Sequence, residues 1–253
     1  MDELSILGSA ARFHPGYALT TMVGFALVIG FPLTRHMHNP RDRKRYYILQ
    51  GITLVGAAFG AKLAVLMGDA LWPLQHFDDW AALVVSGRSI IGALLVGFLV
   101  AEAAKPFMAY KMPPNDRFAV VLPFSIGIGR FGCYLAGCCR GLPYDGPLAI
   151  TYADGIARHA IAFYEMGFHV AAGLLLLYLY RRKILFGRLF ALYLVLYGLF
   201  RFETEYLRVT EKVFFGYSAY QWFALAAVIA GAAAIAIRSF RPSPGWAAMR
   251  AET

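Results

Sequence analysis

Long apolar segments are the feature that most constrains how this chain can fold. A helix needs about 20 mostly apolar residues to cross a bilayer. Seven segments approach that length, at residues 17–33, 46–67, 89–104, 118–138, 160–180, 189–207 and 217–237. Hydrophobic residues make up 59% of the 253 residues and charged residues 15%, whereas soluble domains carry about 25% charged residues. We therefore predict an all-α integral membrane protein, with one transmembrane domain over residues 1–253 built as a bundle of about seven helices.

The basic residues are distributed unevenly between the predicted connections. The formal net charge is +9, and such a charge can attract nucleic acid or anionic lipid. However, most of the Lys and Arg residues fall in four alternate connections, at 35–45, 105–117, 181–188 and 238–253. Connections rich in Lys and Arg stay in the cytoplasm. We therefore predict a membrane protein with its N-terminus outside and its C-terminus in the cytoplasm, and no nucleic-acid partner.

The sixth predicted span carries charges that a lipid-facing helix would exclude. A charge at the bilayer centre costs roughly 2.5–3.5 kcal/mol on insertion scales, so we expect the charges inside the predicted spans to face a polar cavity and to pair with one another. Tyr197, Arg201, Glu205 and Arg208 recur at i, i+4, i+8 and i+11, which places them on one face of a helix. Two arginines against one glutamate leave one positive charge unbalanced, and a guanidinium fork matches two phosphate oxygens. We call these four residues the polar stripe, and the stripe predicts a phosphate-binding cavity. The alternative is a buried ion pair whose only role is to fix how the helices pack.

The fourth predicted span combines a charge with several glycines. Gly127, Gly129 and Gly132 spell G-x-G-x-x-G around Arg130. A dinucleotide site requires a strand before this motif and a helix after it, and the apolar surroundings do not favour that interpretation. We expect the glycines to allow either close approach of another helix or a local break beside Arg130.

His159 and Glu165 lie near the start of the fifth predicted span. Histidine titrates near neutral pH and burial raises the pKa of a glutamate, so the two could perform acid–base chemistry. The alternative is an interfacial histidine and a structural glutamate. His169 lies deeper in the span and apart from the other histidines, so we expect a structural role for it.

The three cysteines, Cys133, Cys138 and Cys139, fall within seven residues. They are fewer than the four ligands of a structural zinc site, so we expect no metal, and nothing in the sequence calls for another cofactor. Small apolar residues at a tight helix end are one interpretation. A reactive thiol is another, because Arg130 or Arg140 would lower the pKa of a neighbouring cysteine.

Three of these motifs, in this order, resemble the bacterial prolipoprotein diacylglyceryl transferases. Gly129-Arg130-Phe131-Gly132 with Gly137 and Gly141 is similar to the family pattern G-R-x-G-N-F-x-N-G-E-x-x-G. His159 with Tyr164-Glu165 resembles H-P-x-Q-x-Y-E, and Tyr197-Gly198 through Arg208 resembles Y-G-x-x-R-x-x-x-E-x-x-R. The segment from Gly87 to Gly97 resembles the family's third-span motif G-x-x-x-x-H-G-G.

The resemblance implies transfer of a diacylglyceryl group from phosphatidylglycerol to the thiol of a prolipoprotein cysteine. The resemblance also implies a multi-pass protein of the bacterial inner membrane, with its active site toward the outer face. By the same resemblance, the catalytic residues are expected to be Arg130, Arg201, Glu165, Glu205 and His159. The expected substrate-binding residues are Tyr197, Arg208, Cys133, Tyr164, Gly132 and Gly141.

Several polar positions of the family pattern are replaced in this chain. The third-span histidine corresponds to Ile91, and the proline after the fifth-span histidine corresponds to Ala160. The two asparagines and the acidic residue of the first motif correspond to Cys133, Ala136 and Cys138. Because the arginines remain, we hypothesise a divergent paralogue that keeps the phospholipid site and uses another acceptor.

Two further function classes remain open at this point. One is a non-catalytic lipid-binding protein or small-solute transporter on the same scaffold, although no pair of broken-helix repeats supports transport. The other is a thiol-redox protein built on the three cysteines. The sequence specifies no oligomeric state.

Overall fold

The computed structural model describes residues 14–31, 33, 39–71, 89–108, 116–212 and 214–240. The start of the Gly87–Gly97 segment lies outside these residues, as do most of the predicted cytoplasmic tail and parts of the predicted connections at 35–45 and 105–117.

Seven α-helices form within the described residues. They are α1 (Pro15–Gly30), α2 (Pro40–Val65), α3 (Ile90–Phe107), α4 (Asp116–Leu135), α5 (Ile161–Arg181), α6 (Leu189–Thr204) and α7 (Ala219–Phe240). A π-helical turn, Leu66–Leu71, extends α2, and a 3-10 turn, Glu205–Leu207, extends α6. Each helix overlaps one predicted span.

Five of these helices, α2, α3, α4, α5 and α7, are long and apolar enough to cross a membrane. α1 is a shorter apolar helix of 16 residues, and α6 also has 16 residues. The protein is therefore a mostly helical, multi-pass membrane protein. The count of seven spans and the orientation of the termini stay predictions.

Two short strands interrupt the all-α architecture. β1 (Ala149–Thr151) pairs antiparallel with β2 (Ala157–His159) in the connection between α4 and α5. Gly155 has a φ of +76°, a conformation that glycine adopts without steric cost, and Asp154 accepts a hydrogen bond from the backbone N–H of Ile156. These turn residues favour a hairpin, which long apolar segments cannot predict because each strand has only three residues.

Four helix pairs make the main contacts: α2 with α3, α4 with α5, α6 with α7, and α1 with α4. The central core includes Ile91, Leu194, Tyr193 and Tyr197, none of which has exposed surface. Large apolar side chains such as Ile29 and Phe107 instead cover the outside. A bundle with apolar residues both inside and outside matches a protein that has lipid as its solvent.

α2 and α3 cross where two glycines meet. A Cβ placed on Gly60 would collide with the backbone oxygen of Gly92, and a Cβ on Gly92 would collide with the backbone oxygen of Gly60. Small residues at such a crossing let two backbones approach closely, which is how membrane helices gain packing energy.

Gly60→Ala and Gly92→Ala are therefore expected to destabilise the protein by about 1–3 kcal/mol, the usual range for overpacking. Gly51→Ala is a matched control on α2, because a Cβ there meets nothing within 4 Å. That control should be neutral, or stabilising by about 1 kcal/mol through helix propensity. Unfolding in mixed detergent micelles measures the free energy of unfolding of all three variants. Equal changes at the three positions would contradict the close crossing of α2 and α3.

Candidate active site

Five charged side chains join into one network of ion pairs at one end of α4, α5 and α6. Arg130 on α4 pairs with Glu165 on α5. Glu165 also accepts a hydrogen bond from Arg208, with an N–O distance of 2.8 Å. Arg208 Nε lies 3.8 Å from Glu205, which pairs with Arg201 at 2.5 Å. The network thus connects the three segments that carry the sequence motifs.

The network is almost completely buried. Glu165 and Glu205 have no exposed surface, and Arg130 and Arg201 are 8% and 6% exposed. Three guanidinium groups face two carboxylates, so one positive charge stays unbalanced among the five groups. The predicted pairing of buried charges is observed, and the excess of one positive charge predicted for the α6 stripe persists in the larger network.

The way in which Arg208 reaches the network differs from the prediction. A single helical face was expected to carry all four stripe residues, and this expectation is wrong. α6 ends at Thr204, a 3-10 turn follows, and Arg208 is extended with φ −107° and ψ 153°. Arg208 forms a β-bridge with Gly141, and the N–H of Leu142 donates to the carbonyl of Leu207. Backbone pairing with the α4–α5 connection therefore positions this guanidinium.

Glu205 is held by hydroxyl groups as well as by arginines. Thr210 and Ser218 donate hydrogen bonds to Glu205 Oε1, at 2.9 and 3.0 Å. Its other oxygen, Oε2, faces Arg201. Sequence reasoning missed both hydroxyl donors, because they lie in the α6–α7 connection, where serine and threonine are ordinary.

Arg201 also contacts an aromatic ring that the sequence analysis did not select. Its guanidinium lies 5.5 Å from the ring centroid of Tyr220 on α7. The Tyr220 hydroxyl donates to Asp69 at the end of the α2 extension, at 2.9 Å. The arginine is thus supported by an aromatic face and by an ion pair, which together restrict its rotamers.

His159 is placed near the network, at the end of β2. Its ring stacks on Tyr144 with 4.0 Å between centroids, and its Nδ1 lies 3.4 Å from the hydroxyl of Tyr164. A Cβ on Gly141 would come within 2.6 Å of the His159 Cβ, so glycine at 141 allows the Arg208 segment and His159 to pack on either side of it. The backbone N–H of His159 donates to the carbonyl of Leu142, whose own N–H donates to Leu207, so the backbone links this histidine to the Arg208 segment. Its side chain contacts Tyr144 and Tyr164.

Helix α4 is continuous through Arg130, so the predicted local break does not occur. The predicted close approach does occur at Gly132, where a Cβ would collide with the hydroxyl of Thr20 on α1. The G-x-G-x-x-G run therefore lies inside a helix, which agrees with the rejection of a dinucleotide site.

A second polar group lies one helical turn from Glu165. His169 on α5 is fully buried, and its Nδ1 lies 2.9 Å from the Tyr193 hydroxyl. Its ring centroid is 4.9 Å from that of Tyr197. Among the described residues, neither His169 Nε2 nor the Tyr197 hydroxyl has a hydrogen-bond partner. The expected substrate residue Tyr197 thus keeps spare hydrogen-bonding capacity, since a buried hydroxyl normally has a partner.

The position of the family's third-span histidine is apolar here. Ile91 follows the first residue of α3 and is fully buried in the hydrophobic core. Its side chain can neither donate nor accept a proton. Any acid–base step at this site must therefore use other groups.

The three cysteines lie at the C-terminus of α4, beside Arg130. Arg130 Nη1 lies 3.4 Å from the sulfur of Cys139 and 3.8 Å from that of Cys133. Hydrogen bonds with Cys133 and Cys138, together with Arg130, hold the pKa of the Cys139 thiol well below its ordinary value. The interpretation as a thiol beside an arginine therefore agrees with the geometry.

The hairpin over the site is stabilised by an exposed charge cluster. Asp154 accepts hydrogen bonds from Arg140 at 2.9 Å and from Arg158 at 3.2 Å. The hydrogen bond from the Ile156 N–H, followed by these two arginines, lowers the pKa of Asp154.

Comparison with known proteins places the chain in a family. The family model described as prolipoprotein diacylglyceryl transferase matches residues 13–237. A phosphatidylglycerol–prolipoprotein diacylglyceryl transferase of Bordetella parapertussis is 28% identical over 232 residues, covering 85% of this chain and 87% of the relative. Enzymes of the same name from Methylobacillus flagellatus and Clostridium tetani are 31% and 32% identical, covering 85% and 73% of this chain and 88% and 79% of those relatives. The chain therefore belongs to the prolipoprotein diacylglyceryl transferase family.

Proposed function

We propose that this protein transfers a diacylglyceryl group from a membrane phospholipid, phosphatidylglycerol, and that Arg130 and Arg201 hold the lipid phosphate. The family match and the names of the relatives support the reaction class. The observation that carries the role of the arginines is the buried network with three guanidinium groups and two carboxylates.

Charge balance favours a phosphodiester as the ligand of this network. The phosphodiester of phosphatidylglycerol carries one negative charge, which equals the unbalanced positive charge of the five groups. Guanidinium groups bind phosphate oxygens through paired, charge-assisted hydrogen bonds. Within these five groups, a neutral ligand would leave one positive charge without a carboxylate partner, and such a charge is costly in an apolar medium.

The proposed reaction uses the arginines to stabilise the leaving group. A thiol sulfur of the acceptor attacks the terminal carbon of the diacylglyceryl group, and the bond between that carbon and the phosphate oxygen breaks. A thioether forms and glycerol phosphate leaves, and the thiol proton passes to the departing phosphate, which gains one negative charge when the carbon–oxygen bond breaks. Negative charge grows on the phosphate as the bond breaks, and pre-positioned guanidinium groups lower the free energy of that transition state. Glu165 and Glu205 fix the guanidinium orientations.

The identity of the acceptor is the less constrained part of the proposal. Ile91 cannot supply the acid–base group of the family pattern, and Cys133 and Cys138 replace polar residues beside Arg130. We therefore propose that the phospholipid donor is kept and that the acceptor differs from a prolipoprotein thiol.

A complementation experiment tests the proposed lipid donor and the proposed change of acceptor separately. In a strain depleted of its own prolipoprotein diacylglyceryl transferase, the chain should consume labelled phosphatidylglycerol in membranes without fully restoring lipoprotein maturation. Full restoration would contradict a changed acceptor. Failure to consume or bind the lipid, with the protein present in the membrane, would contradict the donor. Glu203→Gln is a suitable control, because Glu203 is exposed and outside the network.

A further inference from the structure

The C-terminus of α4 brings together all three cysteines of the chain. The N–H of Cys138 donates to the carbonyl of Cys133, and the N–H of Gly137 donates to that of Tyr134. This pair of bonds, with Gly137 at φ +62°, is a Schellman motif, which commonly brings the side chains three residues before and two residues after the helix cap into contact. Here those two side chains are Cys133 and Cys138, so the helix cap itself pairs the thiols.

Cys139 completes the cluster through an unusual backbone conformation. Its φ is +59°, a left-handed value that only a few per cent of non-glycine residues adopt. The sulfur atoms of the three cysteines all lie within 4.8 Å of one another. All three are free thiols. Sequence spacing alone could not predict this, because an extended 138–139 segment would direct the last thiol away from the other two.

We propose that Cys133, Cys138 and Cys139 form a binding site for a single thiophilic metal ion, Zn²⁺ or Cu⁺, with three thiolate ligands. Zinc–sulfur bonds are about 2.3 Å long, which puts two sulfurs on one tetrahedral ion about 3.8 Å apart. The observed separations need only small side-chain adjustments to reach that value. This differs from the sequence expectation of no metal, which rested on the absence of a fourth ligand. A site with three protein ligands leaves the fourth position to water or a substrate atom.

The neighbouring charge suits thiolate ligands. Metals bind the deprotonated thiol, and Arg130 contacts the sulfurs of Cys139 and Cys133. Three thiolates around a divalent ion form a centre with one negative charge, and the contact with this guanidinium favours that charge. Soft sulfur ligands select Zn²⁺ and Cu⁺ over Mg²⁺ or Ca²⁺. The inference goes beyond the proposed transfer reaction and does not depend on it.

Cadmium titration tests the site on the full-length, reduced protein in detergent. Cd²⁺ bound to thiolate gives an ultraviolet charge-transfer band, and the chain has only 3 cysteines, so any such band reports on this cluster. We expect one ion per chain and a band intensity corresponding to three thiolates. Each single Cys→Ser variant should lose about one third of the band and bind at least tenfold more weakly, whereas Asp154→Asn, in the nearby hairpin, should bind like the wild type.

A second experiment uses only the wild-type protein, so misfolding of a variant cannot affect its result. Added Zn²⁺, or Cu⁺ under anaerobic conditions, should protect all three thiols from alkylation by a maleimide, and the ion that protects at the lower free concentration identifies the preferred metal. The proposal is overturned if no thiolate band forms, if the triple Cys→Ser variant keeps the metal, or if two cysteines form a disulfide that persists after reduction and excludes the ion.

Discussion

Arg201→Ala is expected to lower the rate of phosphatidylglycerol turnover by about 10²–10³-fold, the usual effect of removing one donor that stabilises developing negative charge. The change removes the guanidinium that pairs with Glu205 and lies over Tyr220. Arg201→Lys should recover only part of the activity, because an ammonium group keeps the charge and lacks the planar fork. Turnover of labelled lipid in proteoliposomes measures both variants.

A stability control separates catalysis from folding at this position. Glu205 keeps hydrogen bonds from Thr210 and Ser218 after the arginine is removed, so Arg201→Ala should still fold. The double variant Arg201→Ala/Glu205→Gln also removes the carboxylate charge that has lost its nearest arginine, and it should be at least as stable as the single variant and equally inactive. More than a tenth of wild-type turnover in a folded Arg201→Ala protein would contradict the role assigned to this arginine.

Glu165→Ala is expected to be the most destabilising single change in the network, by about 3–5 kcal/mol, as found when one partner of a buried ion pair is removed. Glu165 has no exposed surface and contacts both Arg130 and Arg208. Removing it leaves Arg130 without its carboxylate in an apolar interior. Unfolding in mixed detergent micelles gives the change in free energy.

The matched control for this prediction is Glu203→Ala. Glu203 is an exposed glutamate on α6, and surface substitutions away from special features change stability by about 0.5 kcal/mol or less. A double-mutant cycle that combines Glu165→Ala with Arg130→Ala gives the interaction energy between Arg130 and Glu165, since residues in contact have non-additive effects on stability. Additive effects of the two changes, or a Glu165→Ala effect as small as that of Glu203→Ala, would contradict the network.

The length and apolarity of the segments located the helices well, because a bilayer imposes both properties directly on each span. α5 at Ile161–Arg181 matches the predicted 160–180, and α6 with its 3-10 extension matches 189–207. The fourth span was predicted to extend to 138, but α4 ends at Leu135 because Gly137 caps it in a left-handed conformation. Apolarity continues past that residue, so hydropathy alone could not find the end.

The charged part of the site was predictable for a similar reason. A buried charge is expensive in lipid, so Arg130, Glu165, Arg201 and Glu205 stood out inside apolar segments and were expected to pair. What remained hidden depends on tertiary contacts, either in connections, where polar residues cost nothing, or between helix ends that are distant in the sequence. Ser218, Thr210 and the Asp69–Tyr220 hydrogen bond belong to this group, as does the approach of Arg208 through backbone pairing.

One phospholipid phosphate is proposed to occupy the buried arginine network. An experimental structure of the protein in nanodiscs that contain phosphatidylglycerol would reveal this lipid. We expect density for a two-chain lipid with its phosphate between the guanidinium groups of Arg130 and Arg201. A well-resolved network with no phosphate between those two arginines, and lipid headgroups only at the bundle surface, would contradict it.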